Sequence, residues 1–361
     1  MSITRAICAI FFAISLSTHA EFVLEASPDI QGEFAVNLTD LCEVAKNTKH
    51  YIDTFPQDDF AVHEGTVIDG INIERVVKTL KFLCQSVDET AYSSEYLIKH
   101  FDFYRWLPDK KQANMLATKS GNAVKKRLLT SIPEQQIFIT KYYTKLLNAS
   151  EVPTDKYNQA LYALPYDEES LSLEQAEKNK QNLTRYQLTR QEVINGALRD
   201  NNLAQPLIWL TEEALHDVLL QGTGVVDIGS KRRYFNVHRN NGIAYDYTLG
   251  KRDQSRYWYF SEVPSTLGYG QTLADKIAIK PEVTFAGNVK QLGLGKLFLI
   301  NYQVGDKSYN NMGVLADQGG AFDNNLFQLD YLKGSYYGWK DYYQANKHLP
   351  DYANTWLMLL K

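Results

Sequence analysis

Apolar positions recur at helical spacing in the first third of the chain. Ile73, Val76, Val77, Leu80, Leu83 and Cys84 form an i, i+3, i+4 stripe, and Asp69 stands where it can cap the helix they imply. The run YSSEYLIKHFDFYRWL, Tyr92 to Leu107, is expected to form another helix that stops before Pro108. From Phe138 onward the texture changes to short apolar runs separated by Gly, Asn and Asp, which predicts strands joined by tight turns. The polar stretch from Leu171 to Tyr186 interrupts them and is expected to be a solvated helix or an insertion. Thr189 followed by Glu192 reads as a capping box that opens a helix running to Leu198. Gln221-Gly222-Thr223-Gly224 reads as a tight turn between two strands. Pattern alone therefore predicts a β-rich chain with helices at its front, and 361 residues allow two domains.

Candidate chemistry lies near the C-terminus, where VLADQGGAFDNNLFQLDYLKG runs from Val314 to Gly334. Gly319 and Gly320 let the chain turn sharply after Asp317, and Leu326, Phe327 and Leu329 read as a short strand ending at Asp330. Such an arrangement can bring two carboxyl groups together. The alternative is structural, with Asp317 opening a turn, Asp330 closing a strand, and both solvated.

Further segments give the acids a context. FITKYYTK (Phe138 to Lys145), YALP (Tyr162 to Pro165), LTRQEVINGAL (Leu188 to Leu198), LLQGTGVVDI (Leu219 to Ile228), YFNVHRNNGIAYDY (Tyr234 to Tyr247) and GYGQTLADKIAIKPEVTF (Gly268 to Phe285) precede ADQGGAF (Ala316 to Phe322). In this order they resemble the lytic murein transglycosylase A (MltA) family over most of residues 138 to 361. The resemblance implies a catalytic domain, a helical front and a double-psi β-barrel, formed by residues 21–147 together with 262–361. A second β-domain, residues 148–261, is inserted between these parts and forms the other wall of a glycan groove.

The resemblance also implies an activity. The family cleaves the β-1,4 bond between N-acetylmuramic acid and N-acetylglucosamine without water, and the 6-hydroxyl of the muramoyl sugar closes on C1 to leave a 1,6-anhydro end. An ordinary glycosidase needs two carboxyl groups, whereas a tethered nucleophile lets one serve as acid and then as base. By carry-over Asp330 is that acid/base, Asp317 its charged neighbour and Asp275 a supporting residue. Tyr143, Thr144, Gln221, Gly222 and Gly224 bind substrate. The spacing from Asp317 to Asp330 is longer than in the family, so an ungapped alignment would put Gln328 at the acid's place, and Asp323 is a further candidate. Asp330 is preferred because DYLKG keeps the family's D-x-x-x-G form. Lys141 and Lys145 stand where the family has Gly and Pro. A non-catalytic peptidoglycan-binding or wall-organising protein on the same fold is the rival reading.

Composition adds boundaries. Met1 to Ala20 has Arg5, an apolar core from Ala6 to Leu16 and a small-x-small ending at Thr18-His19-Ala20, so it reads as a secretory signal peptide. Family members are often lipoproteins, but Cys8 lies inside the apolar core and is not placed for lipidation, so a periplasmic or outer-membrane-associated protein without a lipid anchor is expected. No later stretch is apolar enough to span a membrane. Cys42 and Cys84 remain after export, and a disulfide between them is expected in an oxidising compartment. The formal net charge of −4 and the absence of a basic stripe argue against nucleic acid. No Cys/His cluster has metal-ligand spacing, the implied mechanism needs no cofactor, and Gly293-Leu294-Gly295 is not followed by a helical pattern that would make a nucleotide loop. His216 and His238 lack a nucleophile motif and read as structural. The 24 tyrosines lean towards glycan, whose pyranose rings stack on aromatic faces.

Overall fold

The computed structural model describes residues 20–68, 70–85, 92–319, 322 and 324–361. The expected signal peptide, the Asp69 cap and Asp323 therefore lie outside the described residues, apart from Ala20. Strands follow the chain as β1 (Glu21–Glu25), β2 (Glu33–Phe34), β3 (Phe101–Leu107), β4 (Ile137–Leu147), β5 (Gln159–Pro165), β6 (Ala204–Leu210) and β7 (Thr223–Ile228). They continue as β8 (Lys231–Asn240), β9 (Trp258–Val263), β10 (Thr284–Ala286), β11 (Leu297–Val304), β12 (Lys307–Asp317), β13 (Gln328–Tyr336) and β14 (Tyr352–Leu360).

Six of these strands close on themselves in the order β14-β11-β12-β10-β13-β4, and β4 pairs back onto β14. The ring mixes parallel ladders, β10 with β12 and β13 with β4, with antiparallel ones. It is a double-psi-type β-barrel carrying an inserted domain. β11 and β12 are joined through Gly305-Asp306, a two-residue hairpin turn. Runs such as LFLI in β11 and WLML in β14 are buried along their length because they face the barrel core on one side and the helical front on the other.

That front is held by two helices. α1 (Leu38–Thr54) is capped by Asn37 and α2 (Ile73–Phe82) by Asn72, whose side chain accepts from the Arg75 backbone N–H. Leu41, Val44, Ala45, Val76 and Leu80 enter the same buried cluster as the barrel strands. A disulfide joins Cys42 on α1 to Cys84 just beyond α2. Asp58, buried, accepts hydrogen bonds from the Tyr51 hydroxyl at 2.7 Å and the Tyr269 hydroxyl at 3.0 Å. This ties the front to the loop that lies against Asp317, because the Tyr269 backbone N–H donates to the Ala316 carbonyl.

The insert has its own core, a cluster running from Leu147 to Phe260 that includes Leu161, Ile208, Leu215 and Phe235. β4 joins the two halves. Its first part pairs with β13 in the barrel, and its last three residues pair with Gly224, Val225 and Val226 of β7.

Several local expectations change. The run from Tyr92 to Leu107 is a short helix, Ser94–His100, followed by β3, because its aromatic second half pairs with β14 and β1. The Thr189 capping box forms, but its helix stops at Ile194, and Gly196 in the left-handed region separates it from a second turn at Ala197–Asp200. The Gln221 segment joins a helix to a strand: helix Glu212–Gln221 ends at Gly222, whose φ of +78° is the left-handed cap that glycine adopts without cost, and β7 follows. Asp330 sits near the start of a long strand rather than at the end of a short one.

Candidate active site

The acids are brought together by strand order. β10 lies between β12 and β13, and Ala286 on β10 is the register partner of Asp317 on one side and of Asp330 on the other. Adjacent strands are about 4.8 Å apart, so the two acids flank a single alanine about 10 Å apart between their backbones.

Their environments differ. Asp317 accepts hydrogen bonds from the Tyr142 hydroxyl at 2.8 Å and from the Gln318 backbone N–H at 2.8 Å. Burial pushes its carboxyl up to about 6, and those two donors together with Lys276 hold it from rising further. Asp330 is pushed up to about 7, chiefly by burial and further by the Asp317 charge, against the opposing pull of Thr140 and Lys141. Its Oδ1 is buried with no hydrogen-bond partner among the described residues. Burial thus raises both carboxyls, Asp330 the further, while two hydrogen bonds favour the ionised form of Asp317, so Asp330 is the member more readily kept protonated near neutral pH.

Gln328 lies two residues before Asp330 and on the same face of β13. Its amide donates to the Thr140 hydroxyl at 2.6 Å and accepts from Asn325 at 2.9 Å. It braces the strand beside Asp330 and does not occupy the position opposite Asp317.

A cleft of about 320 Å³ opens beside Asp317, walled by barrel and insert. Tyr142, Tyr143 and Thr144 enter it from β4, Gln221 and Gly222 from the end of helix Glu212–Gln221, and Lys276 from the loop before β10. Lys145 on β4 pairs with Asp217 on that helix at 2.8 Å, which fixes one wall against the other. Tyr143 stacks on Tyr342 with ring centroids 4.7 Å apart. Burial pushes the Tyr342 phenol up to about 12, and the Asp330 charge adds to the shift.

Residues 138–251 match the family model of the MltA specific insert domain. The whole chain is similar to solved MltA structures. It superposes on E. coli MltA with bound chitohexaose at a TM-score of 0.55 and 14% identity, covering 94% of each chain. For the membrane-bound lytic murein transglycosylase of Agrobacterium tumefaciens the TM-score is 0.56 and the identity 13%, over 94% of this chain and 97% of that one. MltA from Neisseria gonorrhoeae gives 0.55 and 12%, over 94% and 92%. The insert and the fold are those of the MltA family. No curated protein matches the chain in sequence.

Within this MltA fold, four of the five residues expected to bind substrate, Tyr143, Thr144, Gln221 and Gly222, border the cleft. Gly224 does not. It is buried in β7, where a Cβ would meet Val218 at 2.8 Å and Leu147 at 3.2 Å, so its small size serves helix-to-sheet packing. Asp275 closes a short turn, accepts from the Thr272 hydroxyl at 2.5 Å and lies outside the cleft, although its neighbour Lys276 lines it. His216 is buried on helix Glu212–Gln221 and His238 lies on β8; burial lowers both imidazoles, and neither lines the cleft. Sequence reasoning missed Tyr142, the donor to Asp317. Its position two residues before Thr144 on one strand was the available signal. It also missed Lys276, which had no signal beyond its place beside Asp275.

Proposed function

We propose that the chain is an exported lytic transglycosylase that cuts the β-1,4 bond between N-acetylmuramic acid and N-acetylglucosamine in peptidoglycan, leaving a 1,6-anhydro end. The observation that carries this reading is the pair of acids across Ala286, with Asp330 pushed up to about 7 and its Oδ1 unpartnered among the described residues, beside a hydrogen-bonded Asp317. E. coli MltA, which shares the fold, has been solved with the oligosaccharide chitohexaose bound, and this supports a glycan as the occupant of the cleft.

In this mechanism protonated Asp330 gives its proton to the bridging glycosidic oxygen as the C1–O bond breaks, and the departing sugar keeps that proton. Positive charge develops at C1 and the ring oxygen, and the Asp317 carboxylate, which lines the cleft, is the group that favours it. The Asp330 carboxylate then takes the proton of the C6 hydroxyl, whose oxygen closes on C1. The acid is regenerated and no water enters. Tyr143, Thr144, Gln221 and Gly222 hold the N-acetyl and hydroxyl groups, which places C6–OH over C1. Met1 to Ala20 serves as the export signal. Among the described residues no helix is long and apolar enough to cross a membrane.

The test is digestion of purified sacculi by the mature chain and by Asp330→Asn and Asp317→Asn variants matched for folding, with mass spectrometry of the soluble products. Anhydro-muropeptides from the wild type, and none from Asp330→Asn, are expected. Products one water heavier would point to a hydrolase. No product from folded wild type would leave a binding protein on the same fold.

A further inference from the structure

A glycan strand is longer than a cleft of about 320 Å³ can enclose, so it must leave the cleft over some part of the surface. One edge of the cleft continues outward as a row of aromatic rings. Tyr143, at the cleft wall, stacks on Tyr342 at 4.7 Å and 21°. Tyr342 meets Trp339 at 5.5 Å, and Trp339 stacks on Tyr343 at 5.9 Å and 27°. Trp339 and Tyr343 stand on helix Trp339–Asn346 and are 67% and 54% exposed, whereas Trp106, Trp209 and Trp356 are buried in the cores. Tyr342 beneath them is anchored, with its hydroxyl donating to the Lys141 carbonyl at 3.2 Å. An exposed tryptophan costs hydrophobic free energy, and this one rests on a fixed aromatic base that leads back to the cleft.

We propose that Trp339 and Tyr343 form an outer sugar subsite, a stacking platform for a pyranose ring of the glycan strand beyond those held in the cleft. The inference rests on the glycan reading of the cleft. The occupant is set by chemistry and continuity. The axial C–H faces of a β-linked amino sugar are apolar and flat enough to lie on an indole, while its edge hydroxyls stay in water. The row begins at a ring that already borders the candidate active site. The platform would therefore favour long strands over short ones without touching the bond that breaks.

The test uses the Asp330→Asn chain, so that no turnover intervenes, with chitotriose and chitohexaose as probes in titration calorimetry. The added variants Trp339→Ala and Trp339→Phe sit on the surface and should fold. The hexaose should bind more tightly than the triose. Trp339→Ala should weaken hexaose binding on the order of tenfold with triose binding unchanged, and Trp339→Phe should recover most of the loss. Equal hexaose affinity with and without the Trp339 ring, in a chain that binds both sugars, overturns the platform and leaves the cleft reading standing. Failure of the Asp330→Asn chain to bind either sugar overturns both.

Discussion

At the scale of single residues, burial raises both Asp330 and Asp317, and hydrogen bonds to its ionised form hold Asp317 the lower of the two. The raised carboxyl of Asp330 has two consequences. If it acts as the acid beside an ionised Asp317, kcat/KM on murein glycan should fall above about pH 7 as Asp330 loses its proton and below about pH 6 as Asp317 gains one, and a pH–rate profile of the wild type measures both limbs. The same shift bears on stability. Between its ordinary value of 3.8 and about 7 the folded chain holds a proton that the unfolded chain has released, so stability falls as pH rises through that window. Asp330→Asn removes this penalty. Thermal melting should find the variant more stable than wild type at pH 8, by on the order of 2–4 kcal/mol, and the gain should vanish near pH 4. A gain that did not depend on pH would contradict the buried-acid account. In the sequence the two aspartates are visible, but their opposition across Ala286 is not, because that alanine lies far upstream of both and nothing local ties it to them. Nor can alternation along one strand separate Gln328 from Asp330, which share a face.

Among elements, those set by local chemistry are legible and those set by pairing are not. The Thr189–Glu192 capping box forms because its bonds lie within one turn, whereas Phe101–Leu107 becomes a strand because β14 and β1 are there to receive it. Gly222 reads as a strand turn in sequence, since a left-handed glycine suits both a hairpin and a helix end; the helix before it decides which. The loop before β10 is another case in which neighbours decide. Gly268 packs so closely that a Cβ would meet the Ala316 carbonyl oxygen at 2.5 Å and the Asp317 Cβ at 3.3 Å. Gly268→Ala should push this loop from the acid pair and lower kcat/KM on the order of tenfold to a hundredfold. Steady-state kinetics on a variant with unchanged circular dichroism measures it, and retained activity would mean that the loop does not position Asp317.

For the whole molecule, closure of the barrel depends on contacts far apart in sequence. β4 lies beside β13, and β10 is wedged between β12 and β13, an order that no periodicity encodes and that only the ordered motif series anticipates. The helical front, poorly matched by those motifs, is joined to the barrel by a shared core and cross-braced by the Cys42–Cys84 disulfide, which spans 42 residues. On a chain-entropy account a loop of that length stabilises by roughly 3–4 kcal/mol. Reduction, or Cys84→Ser, should therefore lower the melting temperature, as calorimetry with and without reductant would register. β4 carries a different implication. Because one strand belongs to the ladders of both halves, the seam between barrel and insert on this side is a run of backbone hydrogen bonds from Lys145 to Leu147 rather than a linker. A relative movement of barrel and insert on this side would have to bend β4 itself at Lys145, which is registered with both Tyr336 of β13 and Gly224 of β7. An insert joined to β4 one residue out of register would therefore turn Lys145 to Leu147 to the opposite face and present the wrong side chains to β7.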